Sequence, residues 1–217
     1  MTLDPALIPT DTAVSTYALI RDETAERKAA TFLLGDNLER TTQGGGIYTY
    51  TSQQGAAAFR DTGSFDAAGS LSQENAEALC RDFCKAFSYD TPIFTLDETG
   101  SGTATAVRLW NGTPVFNAAV TFTIDQGRVL SASGALLPET GAETSSGQKP
   151  LSAFAALTAF QQMRHASSSV VSSITEVSLC YELQSTAAPM ALVPSWRIVT
   201  DTATFYVNCI SGTVRRA

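Results

Sequence analysis

The amino-acid sequence predicts an α+β protein in which helices pack on antiparallel sheets, arranged as a duplicated helix-plus-sheet unit. Three segments have helical periodicity, runs rich in Thr, Val, Ile and aromatic residues separate them, and short turns join consecutive runs. Short connections favour antiparallel sheet because parallel strands need long crossovers. We expect residues 1–35 to form an N-terminal lead-in and helix, residues 36–140 a first α+β unit and residues 141–217 a second α+β unit. The two units can also pack together as one continuous domain.

Composition excludes several classes of protein. Of 217 residues, 44% are hydrophobic and 16% are charged, which excludes a disordered acidic tail. The net charge is −7 and the Lys and Arg residues are not clustered, whereas a nucleic-acid binder needs a basic surface. No stretch approaches the roughly 18 consecutive apolar residues of a membrane span.

The N-terminal part predicts one helix after an irregular start. Residues 1–10 contain two prolines and no periodicity, so we expect a poorly ordered lead-in. The pattern is helical from about Asp11 to Leu34, with Asp22 as a capping residue and Gly35 as the end. Whether residues 13–20 belong to the same helix is open at this stage.

A hairpin follows the glycine triplet at residues 44–46. Residues 47–50 and 56–60 bracket a polar four-residue turn, as expected for two paired strands. The triplet lacks the Lys-Ser or Lys-Thr pair of a phosphate-binding loop, so we interpret it as a flexible turn.

The second helix has the clearest pattern. Ser70 and Gln73 stand at capping-box spacing, and residues 89–92 end the helix. Its apolar stripe consists of Ala76, Leu79, Cys80, Phe83, Cys84 and Phe87.

The remaining chain alternates strands with one more helix. The third helix begins after Pro150, follows a polar loop at 140–149 and uses Leu151, Phe154, Ala155, Leu157 and Met163. Predicted strands are Ile93–Leu96, Thr103–Trp110, Pro114–Ile124, Arg128–Leu137, Ile174–Leu183, Met190–Thr200, Thr204–Asn208 and Thr213–Arg215. Asn111-Gly112 favours a type I′ turn. Residues 121–129 resemble 204–214, which is the basis for predicting a duplication.

The four cysteines leave two interpretations open. Cys80 and Cys84 share a helical face with apolar residues, which favours buried thiols that behave as small hydrophobes. A disulfide that links Cys180 or Cys209 to the helix is the alternative. Neither Cys80 and Cys84 nor Cys180 and Cys209 have the C-x-x-C spacing of a zinc ribbon.

The sequence predicts no catalytic residue, cofactor-binding residue or metal ligand. The only histidine, His165, lies near a helix end, where it interacts favourably with the helix dipole. Ser146 and Lys149 form an S-x-x-K string without its partner motifs, and the adjacent Asp97 and Glu98 point to opposite faces of a strand.

The two tryptophans are candidate partner contacts. Trp110 stands just before the Asn-Gly turn, and Trp196 follows Pro194. Tryptophan often anchors a partner in a pocket. Ordinary core packing of a half-buried indole is the alternative.

Three stretches together resemble the YycH/YycI family of extracytoplasmic regulators of a two-component system in Gram-positive bacteria. Gly112-Thr113-Pro114-Val115-Phe116-Asn117, followed by a strand pair, is similar to the family's "G-x-P-V-F-[DN]" turn. The helix at 153–163 leads into a strand at 174–181. Residues 192–198, followed by 205–208 and Gly212, resemble the "P-x-W-x-I … Y-x-V-N/D … G" ending of YycI-like ectodomains.

The resemblance implies a non-enzymatic, protein-binding ectodomain without catalytic residues, cofactor or metal. Its implied partners are a sensor histidine kinase and a sister YycH-like protein. It also implies an extracytoplasmic location and one N-terminal membrane anchor. No such helix precedes Asp11, so we expect the anchor outside the given sequence, and a genuinely soluble variant is the alternative. PepSY domains share a "P-x-W-x-V … G-x-V" ending, which makes a protease-inhibitory or cell-wall-binding module the competing prediction.

Overall fold

The computed structural model describes residues 2–10, 14–71, 75–144, 149–167, 170–185 and 189–217. This part of the chain contains both helices and antiparallel strands, so the predicted α+β class is confirmed. The α-helices are α1 (Glu23–Leu34), α2 (Ala76–Ala86) and α3 (Ala153–Ser167). The strands are β1 (Thr16–Leu19), β2 (Glu39–Gln43), β3 (Ile47–Ser52), β4 (Gly55–Phe59), β5 (Ser64–Gly69), β6 (Ile93–Leu96), β7 (Gly102–Trp110), β8 (Thr113–Asp125), β9 (Arg128–Ala135), β10 (Ala142–Thr144), β11 (Ile174–Gln184), β12 (Met190–Thr200), β13 (Thr204–Asn208) and β14 (Val214–Arg216).

The chain divides into two compact units. The terminal unit comprises Met1–Ala18, Ala142–Gln184 and Ala191–Ala217. The central unit comprises Leu19–Gly141 and Ser185–Met190. Each unit has its own hydrophobic core.

The central unit is built on antiparallel strands in the order β6-β7-β8-β9-β5-β4-β3-β2. Along β8, Val120, Phe122 and Ile124 are buried while Thr121 and Thr123 are not, so the predicted alternation is confirmed. The buried face packs with α1 and α2 into one core that contains Phe83.

The other face of these strands carries small hydroxyl and alanine side chains and the carboxylate of Asp66. The strand register places them in two rows, because residues directly opposite each other share a face. One row contains Thr105, Thr121, Ser133, Asp66, Ala58 and Thr49. The other contains Thr103, Thr123, Ser131, Ala68, Ala56 and Thr51.

The terminal unit contains the antiparallel series β11-β12-β13-β14 and the antiparallel pair β1–β10. Helix α3 packs on one face of the series, where Phe160 contacts Phe205 at 4.9 Å between ring centroids. The helix buries residues at i, i+3, i+4 and i+7, namely Ala153, Ala156, Leu157 and Phe160. Phe154 was predicted on this stripe, but it is 70% exposed because it lies one position off the buried face.

The N-terminal prediction is partly wrong. Residues 2–10 are not a disordered lead-in, because Pro5–Leu7 form a 3₁₀ helix and Thr2 forms a bridge with Ser173. The helical pattern assigned from Asp11 starts too early, since Thr16–Leu19 form β1 and residues 11–13 lie outside the described ranges. The predicted ends of α1 are confirmed: Asp22 caps its start and Gly35 stops it with φ of 81°.

Helix α2 begins later than predicted. Its cap is Asn75, whose side chain accepts a hydrogen bond from the Ala78 N–H at 2.8 Å. Ser70 instead donates its N–H to the Gln54 carbonyl, and Gln73 lies outside the described residues. The predicted apolar stripe with Cys80 and Cys84 is confirmed as buried.

The hairpin and turn predictions are largely confirmed. Strands β3 and β4 pair in antiparallel register, and Asn111 and Gly112 have φ of 49° and 80°, as a type I′ turn requires. Four strands were not predicted: β1, β2, β5 and β10. None of the helices in the described ranges is both long and apolar enough to span a bilayer.

Candidate functional site

The terminal unit exposes a polar sheet face opposite α3. Register sets Ser178, Arg197, Tyr206 and Arg215 opposite one another on β11, β12, β13 and β14. The next row along the strands is Cys180, Ser195 and Asn208. Alternation along β11 adds Glu176, Glu182 and Gln184 to the same side. We call these ten residues the polar face.

The polar face arises from strand alternation. Along β12 and β13 the apolar neighbours Trp196, Ile198, Phe205 and Val207 point to the α3 side and enter the core. The residues between them therefore point away from α3. Burial of one side thus fixes which side chains the other side presents.

A cavity of about 250 Å³ lies on this face. Every residue that lines it is polar: Glu182, Gln184, Ser195, Tyr206, Asn208, Ser211, Thr213 and Arg215. We call it the polar cavity. Its lining comes from β11, β12, β13, β14 and the turn between β13 and β14.

Ser195 is the most deeply buried residue of the polar cavity. It is 1% exposed, and no described residue makes a hydrogen bond to its Oγ. Its carbonyl oxygen accepts a hydrogen bond from Cys180 Sγ at 3.2 Å. A buried hydroxyl without a partner costs about 1–3 kcal/mol, so native proteins usually provide one.

Two ion pairs cross the polar face. Arg215 Nη2 lies 3.1 Å from Glu182 Oε1, although β12 and β13 separate their strands. Arg197 Nη1 lies 2.6 Å from Glu176 Oε1. The four charges cancel within the face.

The carboxylate of Glu176 is held in its ionised form. Ser178 Oγ donates a hydrogen bond to Glu176 Oε1 at 2.7 Å. This hydrogen bond, followed by the pairing with Arg197, lowers the pKa of Glu176 against a smaller opposing effect of burial.

Side chains also fix the turn between β13 and β14. Asn208 Oδ1 accepts hydrogen bonds from the N–H groups of Ile210 and Ser211, both at 2.9 Å. Ser211 Oγ and Thr213 Oγ1 are 3.0 Å apart, and Gly212 supplies the positive φ of 72°. The turn therefore presents Ser211 and Thr213 to the polar cavity in a defined geometry.

The two tryptophans predicted as candidate contacts are both buried. Trp110 belongs to the central unit and is 3% exposed; Trp196 belongs to the terminal unit and is 2% exposed. Trp196 Nε1 donates to the Leu151 carbonyl at 2.9 Å, on the α3 side of the sheet. Burial favours the core-packing alternative, and partner contact through either ring stays a prediction.

The four cysteines are buried, and no disulfide joins them. The interpretation as small hydrophobic residues is therefore confirmed and the disulfide alternative is wrong. Burial raises the pKa of Cys80, Cys84 and Cys209 to about 12, and it raises the pKa of Cys180 further. These thiols are protonated at neutral pH, which makes them weak nucleophiles and weak metal ligands.

The other residues considered as catalytic or metal-binding candidates do not lie together in one site. Asp97 accepts hydrogen bonds from Thr99 and Ser101, which lower its pKa and form a turn. His165 is exposed on the last turn of α3, and Ser146 lies outside the described residues. Within the described ranges, no three His, Cys, Asp or Glu residues group as metal ligands.

The sequence pattern did not identify Ser195 or the other residues that line the polar cavity. The signal was present as alternation: Ser178, Cys180 and Glu182 interleave with Leu179 and Tyr181 along β11. The sequence pattern does not give the strand register, and it is the register that brings Glu182 and Arg215 together across two intervening strands.

Comparisons with known proteins define the fold and no more. No family model matches the chain, and no curated protein matches it. A crystal structure of an uncharacterized protein from Eubacterium rectale ATCC 33656 is similar, with a TM-score of 0.52 and 13% sequence identity over 94% of this chain and 81% of that chain. At this identity the chain shares an overall fold with that protein, and its function has to be argued from its own residues.

Proposed function

We propose that the chain is a non-enzymatic extracytoplasmic regulatory domain, similar to YycI, that binds a membrane sensor histidine kinase of a two-component system and modulates its output. A sister YycH-like protein is a second proposed partner. The sequence resemblance supports this proposal. One of the resembling stretches includes the β7–β8 turn, and another includes most of β12. The resemblance therefore concerns structural elements of the fold and names no catalytic residue.

The polar face of the terminal unit is the observation that carries the proposal. One side of the sheet is covered by α3, while the other presents Arg197, Arg215 and Tyr206. Arg and Tyr are enriched in protein interfaces, and interfaces that form and dissociate are about as polar as the rest of the surface. Ion pairs such as Glu176–Arg197 give a partner charges to match, which sets specificity and association rate.

The chemistry of the described side chains favours binding over catalysis. A nucleophilic thiol needs a depressed pKa, and burial raises the pKa of all four cysteines here. A general base needs a nearby reacting group, and Asp97 is committed to its own turn.

We also infer that the two units descend from one duplicated helix-plus-sheet unit. The similar segments 121–129 and 204–214 both fall on antiparallel hairpins, β8–β9 and β13–β14. In each unit, helices pack on one face of an antiparallel sheet. We further propose that the folded part lies outside the cell membrane, tethered by the N-terminal anchor that the resemblance implies.

A paired charge swap tests the proposal. The double variant Glu176→Arg/Arg197→Glu keeps the ion pair but reverses its polarity on the polar face. Its matched control is Glu77→Arg/Arg81→Glu on α2, where the same residue types pair at 2.8 Å. The protein is co-purified with its proposed partner, a membrane sensor histidine kinase of the same organism, and kinase output is measured.

We expect wild type and the α2 control to retain the kinase, and the polar-face swap to lose most of it. Deletion of the protein should change kinase output. Expression of the polar-face swap in the deletion strain should not restore the wild-type output. Absence of any association, together with unchanged output on deletion, would reject the proposal. Inhibition of secreted peptidases by the purified chain would favour the PepSY-like alternative, which the Pro194, Trp196 and Gly212 pattern also supports.

A further inference from the structure

We propose that the polar cavity binds a neutral hexose ring of a saccharide, with the Ser195 hydroxyl as its central hydrogen-bonding partner. This inference goes beyond the proposed regulatory function, because it concerns a small ligand and requires no kinase.

The first argument is the state of Ser195. Ser195 lines the cavity, and its Oγ is buried and has no hydrogen-bonding partner among the described residues. A hydroxyl both donates and accepts, so its best partner is a group that also does both. Sugar hydroxyls have this property, whereas a carboxylate only accepts and an ammonium only donates.

The second argument is the charge of the lining. The polar cavity contains one carboxylate, Glu182, and one guanidinium, Arg215, and they pair with each other at 3.1 Å. An anionic or cationic ligand would have to break this pair or bring an unmatched charge to it. A neutral ligand can accept and donate hydrogen bonds at the rim without disturbing the pair.

The third argument is size and shape. The cavity has a volume of about 250 Å³, many times the roughly 10–15 Å³ that one water needs, so a single bound water does not fill it. A six-membered sugar ring with its hydroxyl groups has a volume that fits within this cavity. Asn208 fixes the β13–β14 turn, so Ser211 and Thr213 are in position before a ligand arrives, which reduces the entropy lost on binding.

Ligand-observed NMR on the whole chain tests the proposal. Saturation transfer is measured with D-glucose, D-galactose, D-mannose and N-acetyl-D-glucosamine, and with glucuronate as a charged comparison. We expect at least one neutral hexose to bind in the millimolar range. Ser195→Ala should weaken this binding by about tenfold, the effect of one lost hydrogen bond to a buried group.

Ser178→Ala is the control. It removes a serine hydroxyl from the same face, but Ser178 does not line the polar cavity, so sugar binding should be unchanged. Urea unfolding of Ser195→Ala without ligand should be unchanged or shifted to higher urea, since the hydroxyl has no described partner to lose.

Three outcomes would overturn the inference. Saturation transfer from none of the neutral hexoses would mean that Ser195 holds only water. Equal binding by wild type and Ser195→Ala would place the sugar elsewhere. Tighter binding of glucuronate than of its neutral counterpart would contradict the argument from charge. None of these results bears on the kinase, so the two proposals fail separately.

Discussion

At the scale of single residues, Arg108 shows how the fold accommodates a buried charge that forms no ion pair within the described part of the chain. It is 2% exposed and lies at an irregularity of β7, between Val107 and Leu109, where the register with β8 shifts. Its guanidinium donates to the carbonyl groups of Ser88, Leu109 and Leu137. Burial lowers the pKa of Arg108. The side chain therefore links its own strand to two other backbone segments, at Ser88 and at Leu137.

Truncation of Arg108 should cost much more than its replacement by an apolar chain of similar length. Arg108→Ala leaves a cavity and removes the donor to all three carbonyls, so we expect a loss of about 3 kcal/mol in the free energy of unfolding. Arg108→Met fills the space and removes a buried charge, so it should cost less than about 1.5 kcal/mol. Urea denaturation compares both with wild type. Equal stability of the two variants would contradict this account of Arg108.

Glu176 gives the terminal unit a specific acid sensitivity. Because the hydrogen bond from Ser178 lowers its pKa from the ordinary value of 4.5, the ionised form stabilises the folded state. That contribution is complete above about 4.5 and disappears as the pH falls through the lowered pKa.

Glu176→Gln should therefore flatten the loss of stability between about pH 5 and pH 3. Ser178→Ala, which removes the largest cause of the shift, should give an intermediate slope. Chemical denaturation at a series of pH values measures both. Identical pH profiles for wild type and Glu176→Gln would be inconsistent with the lowered pKa.

At the scale of elements, the predictions succeeded where one local pattern determines the outcome. Strand β8 alternates strictly from Ala118 to Ile124, and α1 has both a capping Asp22 and a terminal Gly35, so each could be predicted from its own residues. Strand β2 is exposed along its whole length and has no apolar alternation to detect. Strand β1 pairs with β10, and Thr16 lies opposite Thr144, far away in sequence. The same dependence on register concealed Ser195, because alternation alone does not show which strands are neighbours.

The cap of α1 is a local feature whose energetic contribution is measurable. Asp22 Oδ1 accepts hydrogen bonds from the N–H groups of Thr24 and Ala25 at 2.9 and 3.1 Å. Asp22→Ala should lower the free energy of unfolding by about 1 kcal/mol. The control is Asp82→Ala at an exposed position of α2, which should change stability by less than about 0.5 kcal/mol. Thermal unfolding of both variants tests the comparison, and equal shifts would argue against a capping role.

At the scale of the whole molecule, the two outer strands of the central unit differ in protection. Among the described residues, strand β2 pairs only with β3, and it carries Glu39 and Arg40. Strand β6 pairs only with β7 in the described part of the chain, and it exposes Ile93 and Leu96 without any charged residue. Unpaired strands without charge are sites of edge-to-edge association.

Introducing a lysine into β6 should reduce self-association. Thr95→Lys places a charge on β6, which has none. Thr41→Lys makes the same change on β2, which already carries charged side chains. We expect Thr95→Lys to lower concentration-dependent aggregation in light scattering and Thr41→Lys to have little effect. An equal effect of both substitutions would show that total charge, rather than the β6 edge, controls association.

The terminal unit is assembled from the two ends of the chain, and this has a consequence for its biosynthesis. Thr2 meets Ser173 and β1 meets β10, whereas most of the central unit is continuous from Leu19 to Gly141. At roughly 5–20 residues per second, the ribosome needs several seconds to deliver the partners of the first strand. The central unit has its sequence ready to fold during this time, while the first segment waits unpaired and accessible to chaperones.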